Sequence, residues 1–460
     1  MRRAVRASVL RRLGASPGSP AAPESIVKRI LISASATVLL QGASLAMGFA
    51  TAILLARLLG ETGYGQYAFA IAWAGLLAIP AILGLDRFLV RGIATYEVSQ
   101  RLSLMRGLLR RTNQLVLLTS LAMGGVGCFV AVLWLSPSLR WPFCVAMLLV
   151  PLTTLTLIRQ GAMQAIGRVV SGQFPEYLIR PVLILLGIGA LKLIGSGALT
   201  STTALATNVF AVAVAFTVGA ILLSRALPAV LRSVRPEYAT REWLRAALPM
   251  MLISGVWAAN NYCTTLVVGT LDGPRAAGVY SVVEKGAELI VLILVAANIP
   301  LAPAIARLHA QNDREGLQHA TERVAQATLL ASAPLALAFA IVPGVYLSIF
   351  GGGFDSGSIA LTVLALAQLV NASAGPAGNV LLMTGHERAA VRGIVAGLLA
   401  NLILGVILVP PLGVTGGAIA SGSSLILWNT VLLVLARTHV GVNVTAFRWL
   451  AIRKPARVIQ

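Results

Sequence analysis

Apolar runs of about 20 residues recur along the chain from Leu31 to Ala436, each long enough to cross a hydrocarbon core about 30 Å thick as a helix. Inside lipid every backbone N–H and C=O must find a partner within the protein, so runs of this length read as helices rather than barrel strands. Only 11% of the residues are charged and 57% are hydrophobic, with a mean hydropathy of +0.86. That leaves too little polar surface to cover a soluble globule. The fold class expected is an all-α polytopic membrane protein with about 12 transmembrane helices.

The formal net charge of +21 would point to nucleic acid in a soluble protein, but no basic stripe interleaved with aromatics is present. The basic residues sit instead in the two tails and in every second loop, with Arg57, Arg140, Lys192, Arg275, Arg159 and Lys285 as the exceptions. This is the positive-inside pattern, and it places both termini in the cytoplasm. The expected division is a basic N-terminal tail at 1–27, a first six-helix bundle at 28–225, a basic linker at 226–245, a second bundle at 246–436 and a basic tail at 437–460. Residues 1–27 lack the apolar core of a signal peptide, and the basic segment at their start suits an anionic lipid surface.

An internal repeat supports the two bundles. Gly60, Gly65 and Tyr67 recur at the same spacing as Gly273, Gly278 and Tyr280, each set between the first and second spans of its half. Gly167 and Gly385 follow the fourth span of each half. Halves with an even number of spans insert in the same direction, so a pseudo-two-fold axis along the membrane normal relates them, and a path between them suits a transporter. Both glycine segments, GETGYGQY and GPRAAGVY, read as turns.

No enzyme signature is present: the chain has no GKS or GKT phosphate loop, no HExxH and no GxSxG. The glycine-rich GGGFDSG at 351–357 reads as a tight turn. His309, His319, His386 and His439 lack ligand spacing, so no metal or cofactor is expected. Cys128, Cys144 and Cys263 fall within spans and read as small apolar packing residues, with no disulfide framework.

Charge within the spans is the functional signal, since an ionised side chain at mid-depth costs roughly 2.5–3.5 kcal/mol. Glu284 and Glu288 lie one helical turn apart, and Lys285 is placed to pair with Glu288. They are candidates for proton or sodium coupling. Arg57, Arg87, Arg159 and Arg180 are candidates to hold an anion, because a guanidinium fork matches phosphate. Asn260, Asn261 and Asn379, with the helix breakers Gly375 and Pro376, fit a wet lumen.

The segment LLARLLGETGYGQYAFAIAWAGLLAIPAILGLDRFLVRGIA, Leu54 to Ala94, resembles the opening hairpin of bacterial polysaccharide flippases. These form the Wzx-like branch of the multidrug/oligosaccharidyl-lipid/polysaccharide exporter superfamily. The residues that carry the resemblance are Arg57, Gly60, Gly65, Tyr67 and Asp86. It implies movement of an undecaprenyl-pyrophosphate-linked oligosaccharide across the bacterial inner membrane by alternating access. It further implies a cationic lumen, here Arg57, Arg159, Lys285, Arg87 and Arg180, with ion coupling through Glu288, Glu284 or Asp86. The partners implied are the lipid-linked oligosaccharide, membrane lipids, a polysaccharide polymerase and assembly proteins. A drug or metabolite cation antiporter of the same superfamily is the alternative, with acidic residues dominating the lumen.

Overall fold

The computed structural model describes residues 23–195, 199–228 and 230–447. Residues 1–22 of the N-terminal tail and 448–460 of the C-terminal tail, both expected to be basic tails, lie outside the described residues. The first two spans form one element, α1 (Pro23–Ile82), folded over at Gly60, whose φ of 68° and ψ of 178° suit glycine alone. After a second left-handed break at Gly84, α2 (Leu85–Val98) buries Leu85, Phe88, Leu89 and Ile93. Span three is α3 (Leu102–Trp134), and span four is α4 (Pro137–Met147) continued by α5 (Leu149–Ala165). Span five is α6 (Val169–Phe174), a π-turn at Pro175–Ile179 and α7 (Arg180–Ile194); span six is α8 (Ser201–Ala226). The linker holds the short α9 (Val230–Ser233) and docks on the start of α3, where Arg106 donates to the Val234 carbonyl and the Glu237 N–H to Ser103 at 3.1 Å.

The second half repeats the plan with α10 (Thr240–Leu271), α11 (Gly273–Ala310), α12 (Arg314–Ile341), the short α13 (Pro343–Ser348), α14 (Ser358–Ala374), α15 (Ala377–Met383) and α16 (Glu387–His439). Gly375, with φ of 72°, parts α14 from α15, and Gly413, with φ of 55°, folds α16 into two spans after Pro410 and Pro411. Among the described residues eight helices are long and apolar enough to cross a membrane, and α1 and α16 each cross twice. With α10 and the bent α11, the chain makes the twelve crossings of two six-helix bundles.

The repeat is visible in the backbone: Gly60 and Gly273 have φ of 68° and 90°, and Gly167 and Gly385 have φ of 74° and 82°. The two expected turns are shorter than the sequence implies. Only the first glycine of each departs from the helix, so Gly65 and Gly278 lie in helix and serve a different purpose. They are the crossing point of the two halves. A Cβ on Gly65 would stand 1.7 Å from the Pro274 carbonyl oxygen, and one on Gly278 would stand 2.2 Å from that of Glu61.

Three apolar clusters describe how the halves meet. At the end of the molecule that holds this crossing, one continuous cluster joins Tyr64 and Phe69 of the first half to Tyr280, Phe339, Tyr346 and Phe350 of the second. Phe49 meets Phe350 edge-on at 5.6 Å, and Tyr346 packs on Phe339 at 4.8 Å, geometries that aromatic pairs favour. At the opposite end, where the basic loops lie, the core splits. One cluster gathers first-half residues such as Phe88, Leu89 and Leu108 with the start of α10, and another gathers Leu301, Ile305, Leu381 and Leu432 of the second half. The halves thus share one continuous core at the crossing end, whereas at the basic end the second half meets the first through α10, with Trp243 Nε1 donating to the Tyr96 hydroxyl at 2.9 Å, and its other helices form a separate cluster.

The cysteines depart from expectation. Cys128 of α3 and Cys144 of α4 form a disulfide, their Cα atoms 4.9 Å apart. The two helices run antiparallel, and the fold brings side chains together that look unrelated in sequence. Among the described residues Cys263 is the free, buried cysteine.

Candidate functional site

Between the halves lies a cavity of about 960 Å³, at the upper end of the roughly 300–1,000 Å³ usual for ligand sites. Its walls differ in charge. On the first half, the π-turn projects Glu176, Tyr177 and Arg180 into it, and such irregular turns are frequent at working sites. Arg180 pairs with Glu176 and donates from Nε and Nη2 to Asn208 Oδ1 at 3.3 and 3.2 Å; Asn208 Nδ2 donates in turn to the Tyr67 hydroxyl at 3.0 Å. On the second half, α11 contributes Lys285, whose Nζ lies 2.7 Å from Glu288 Oε2, and Glu284, which accepts from Thr265 Oγ1 at 3.1 Å.

The remaining wall, from α14, α15 and the two limbs of α16, is uncharged. Asn371 Nδ2 donates to Gln368 Oε1 at 2.9 Å, and Asn429 Nδ2 donates to Asn371 Oδ1 at 3.0 Å. Asn401 is bonded to Thr264, and Asn379 and Trp428 complete the surface.

Of the residues singled out in the sequence, Arg180, Lys285, Glu284, Glu288, Asn260, Asn261 and Asn379 line this cavity. Arg57, Arg87, Arg159 and Asp86 stand away from it. Arg57 is at the closed end, its Nε donating to the Ile349 carbonyl at 2.7 Å across the two halves, beside an ion pair of 2.6 Å between Glu61 and Arg275. Asp86 and Arg87 pair with one another at 3.7 Å at the basic end, Arg87 largely exposed. Arg159 is packed between α5, α6 and α8, 3% exposed, and its guanidinium lies against Gly219. The lumen is also less cationic than expected, because both of its basic side chains, Arg180 and Lys285, are held by carboxylates.

Sequence reading missed Glu176, Asn208, Gln368, Asn371 and Asn429. Glu176 follows Pro175, which reads as a loop before span five, and the π-turn instead continues the helix through it. The amides carried a usable signal, the same one that marked Asn260: an amide inside a span needs a partner or water.

Arg159 donates from Nη1 to the Gly172 carbonyl at 3.2 Å, while its Nε and Nη2 are buried without a hydrogen-bond partner among the described residues. Taking a charge out of water costs several kcal/mol, more than one hydrogen bond returns, so an apolar side chain of similar length removes an uncompensated cost. Arg159→Met is therefore expected to raise the melting temperature of the purified protein in detergent. A clear fall would mean the guanidinium is well compensated where it sits.

Residues 30–309 match the family model described as polysaccharide biosynthesis protein, and residues 249–407 match the MatE model. No curated protein sequence matches the chain. Among solved structures, a multidrug resistance MATE family transporter of the MOP superfamily in an inward-facing conformation superposes with a TM-score of 0.71 at 14% identity, over 87% of this chain and 94% of that one. The lipid II flippase MurJ, in an inward closed conformation, gives 0.65 at 14% identity over 89% and 88%. A MOP superfamily transporter from Pyrococcus furiosus gives 0.54 at 15% identity over 88% and 95%. At these identities the likeness is one of fold.

Proposed function

Because the chain belongs to the polysaccharide biosynthesis protein family, we propose that it is a flippase that moves an undecaprenyl-pyrophosphate-linked oligosaccharide from the inner to the outer leaflet of the bacterial cytoplasmic membrane. The observation that carries this reading is the polar cavity between two bundles that share one continuous core at the crossing end and separate cores at the basic end. The positive-inside rule turns the basic end, opposite the crossing, to the cytoplasm, and the cavity then serves the leaflet on which lipid-linked sugars are assembled. A pyrophosphate and its sugars cannot cross hydrocarbon unaided, and a wet passage with bonding groups removes that barrier.

Arg180 and Lys285 are the groups that would take the pyrophosphate, and each must first release a carboxylate. Glu176 and Glu288 thus compete with the substrate for the same cations. Neutralising either carboxylate with a proton, or occupying it with sodium, frees its cation, which ties anion binding to ion uptake. The membrane potential adds about 2.3 kcal/mol per charge per 100 mV to such a cycle.

One observation favours the second reading, a cation antiporter. Glu176, Glu284 and Glu288 outnumber Arg180 and Lys285 in the cavity, and Glu284 has no cation paired with it among the described residues. The two readings separate in cells. As a flippase, the protein with Arg180→Ala or Lys285→Ala is expected to remain in the membrane while lipid-linked oligosaccharide accumulates on the cytoplasmic face. Normal surface polysaccharide in both variants, with loss of resistance to organic cations, would favour the antiporter.

A further inference from the structure

The uncharged wall of the cavity remains without a task once the charged groups are assigned. It is built from Gln368 and Asn371 on α14 and Trp428 and Asn429 on the second limb of α16, with Asn379 on α15 beside the break at Gly375. Burying several amides at membrane depth is costly unless each is bonded. Here they bond one another in a directed chain from Asn429 through Asn371 to Gln368. Asn429 Nδ2 is further engaged by the Leu425 carbonyl at 2.9 Å.

That chain fixes which capacity is left over. An amide has two donor hydrogens and one acceptor oxygen with two lone pairs. Among the described residues, Gln368 spends its oxygen on Asn371 and keeps its Nε2 donors, while Asn429 spends its donors and keeps Oδ1. Both residues line the cavity. The wall therefore offers donors at one end and an acceptor at the other, without charge, and the Trp428 indole lines the same surface. A hydroxyl both donates and accepts, and a pyranose ring has one face of C–H groups that an indole can cover. An anion would meet an acceptor here and no cation.

We propose that Gln368, Asn371, Asn429 and Trp428 form a subsite for the uncharged sugar units of the substrate, separate from the charged wall of Arg180 and Lys285 that takes the pyrophosphate. This rests on the flippase reading and deepens it. The subsite reads the neutral polyhydroxylated part of the cargo, and the charged wall reads the part common to all lipid pyrophosphates.

The test is equilibrium binding to the full chain in nanodiscs, with two probes: undecaprenyl pyrophosphate carrying one neutral hexose or N-acetylhexosamine, and the same lipid without sugar. The wild type is expected to bind the glycosylated lipid more tightly. Gln368→Leu and Asn371→Leu are each expected to lose about tenfold in affinity for the glycosylated lipid, the scale of leaving one or two sugar hydroxyls unpaired, with the sugar-free lipid unaffected. Binding of the sugar-free lipid shows that a variant is folded, and Gln368→Asn, which keeps the amide, is expected to lose less than Gln368→Leu. Equal binding of both lipids by the wild type, or a sugar preference that survives in the leucine variants, would overturn the subsite and leave the flippase reading standing. Failure of the wild type to bind either lipid would overturn that reading and the subsite with it.

Discussion

Gly65→Val is expected to abolish transport while leaving the protein in the membrane, because it acts on the contact that closes one end of the molecule. At this point helix backbones of the two halves touch, and even a methyl group would stand 1.7 Å from the Pro274 carbonyl oxygen. A flexible side chain could rotate away from such a clash, but backbone cannot. Overpacking of a close contact costs about 1–3 kcal/mol or more, and a shift of about 5.5 kcal/mol reverses a 99:1 equilibrium. Because the clash is with backbone, the substitution works against the closed end, and with it against the state in which the cavity opens toward the basic end. Gly278→Val attacks the same crossing from the other half, 2.2 Å from the Glu61 carbonyl oxygen, and is expected to behave alike. The check is the labelling rate of Asn379→Cys by a membrane-impermeant thiol reagent applied from the cytoplasmic side. It should fall sharply when Gly65→Val is added, and equal labelling with and without it would show that the crossing does not control access.

The second large effect belongs to the pair on α11. Lys285→Ala is expected to weaken binding of a lipid pyrophosphate by about tenfold to a hundredfold, the range set by charge-assisted hydrogen bonds of about 1.5–3 kcal/mol. Glu288→Gln is expected to act in the opposite direction, since it removes the carboxylate that holds Lys285 at 2.7 Å. The pair is part-exposed to the cavity, and ion pairs of that kind are worth up to about 1 kcal/mol, so the gain is about fivefold at most. Equilibrium binding of a lipid pyrophosphate to the wild type and both variants checks the pair, and binding that weakens in Glu288→Gln would show that this carboxylate does not compete with the anion for Lys285.

The membrane fold was legible because lipid leaves a long apolar run few alternatives to a helix. The repeat was legible because Gly60 and Gly273 need a left-handed φ that other residues resist. What the repeat was for could not be read. Gly65 and Gly278 look like parts of two turns, and their closeness depends on how two bundles dock, a long-range contact that local sequence does not encode. The site divided in the same way. Glu284, Lys285 and Glu288 stood out because their cost in a span is high, and all three line the cavity. Arg159 stood out for the same reason, yet it faces Gly219 inside the first bundle, because charge alone does not say which side of a helix looks inward. Arg180 was one of four arginines that could hold an anion, with nothing in the sequence to set it apart; the π-turn at Pro175–Ile179 is what carries it and Glu176 into the cavity.

The most direct measurement is leaflet-to-leaflet transfer of a lipid-linked oligosaccharide in proteoliposomes that contain only the purified chain. The lipid starts protected in one leaflet, and transfer is read as reactivity of its sugar to a membrane-impermeant oxidant added outside. The expected result is transfer well above that of protein-free vesicles, lost in Gly65→Val and reduced in Lys285→Ala. Transfer at the protein-free rate under an imposed membrane potential and pH gradient, by protein that still binds the lipid, would contradict the flippase reading.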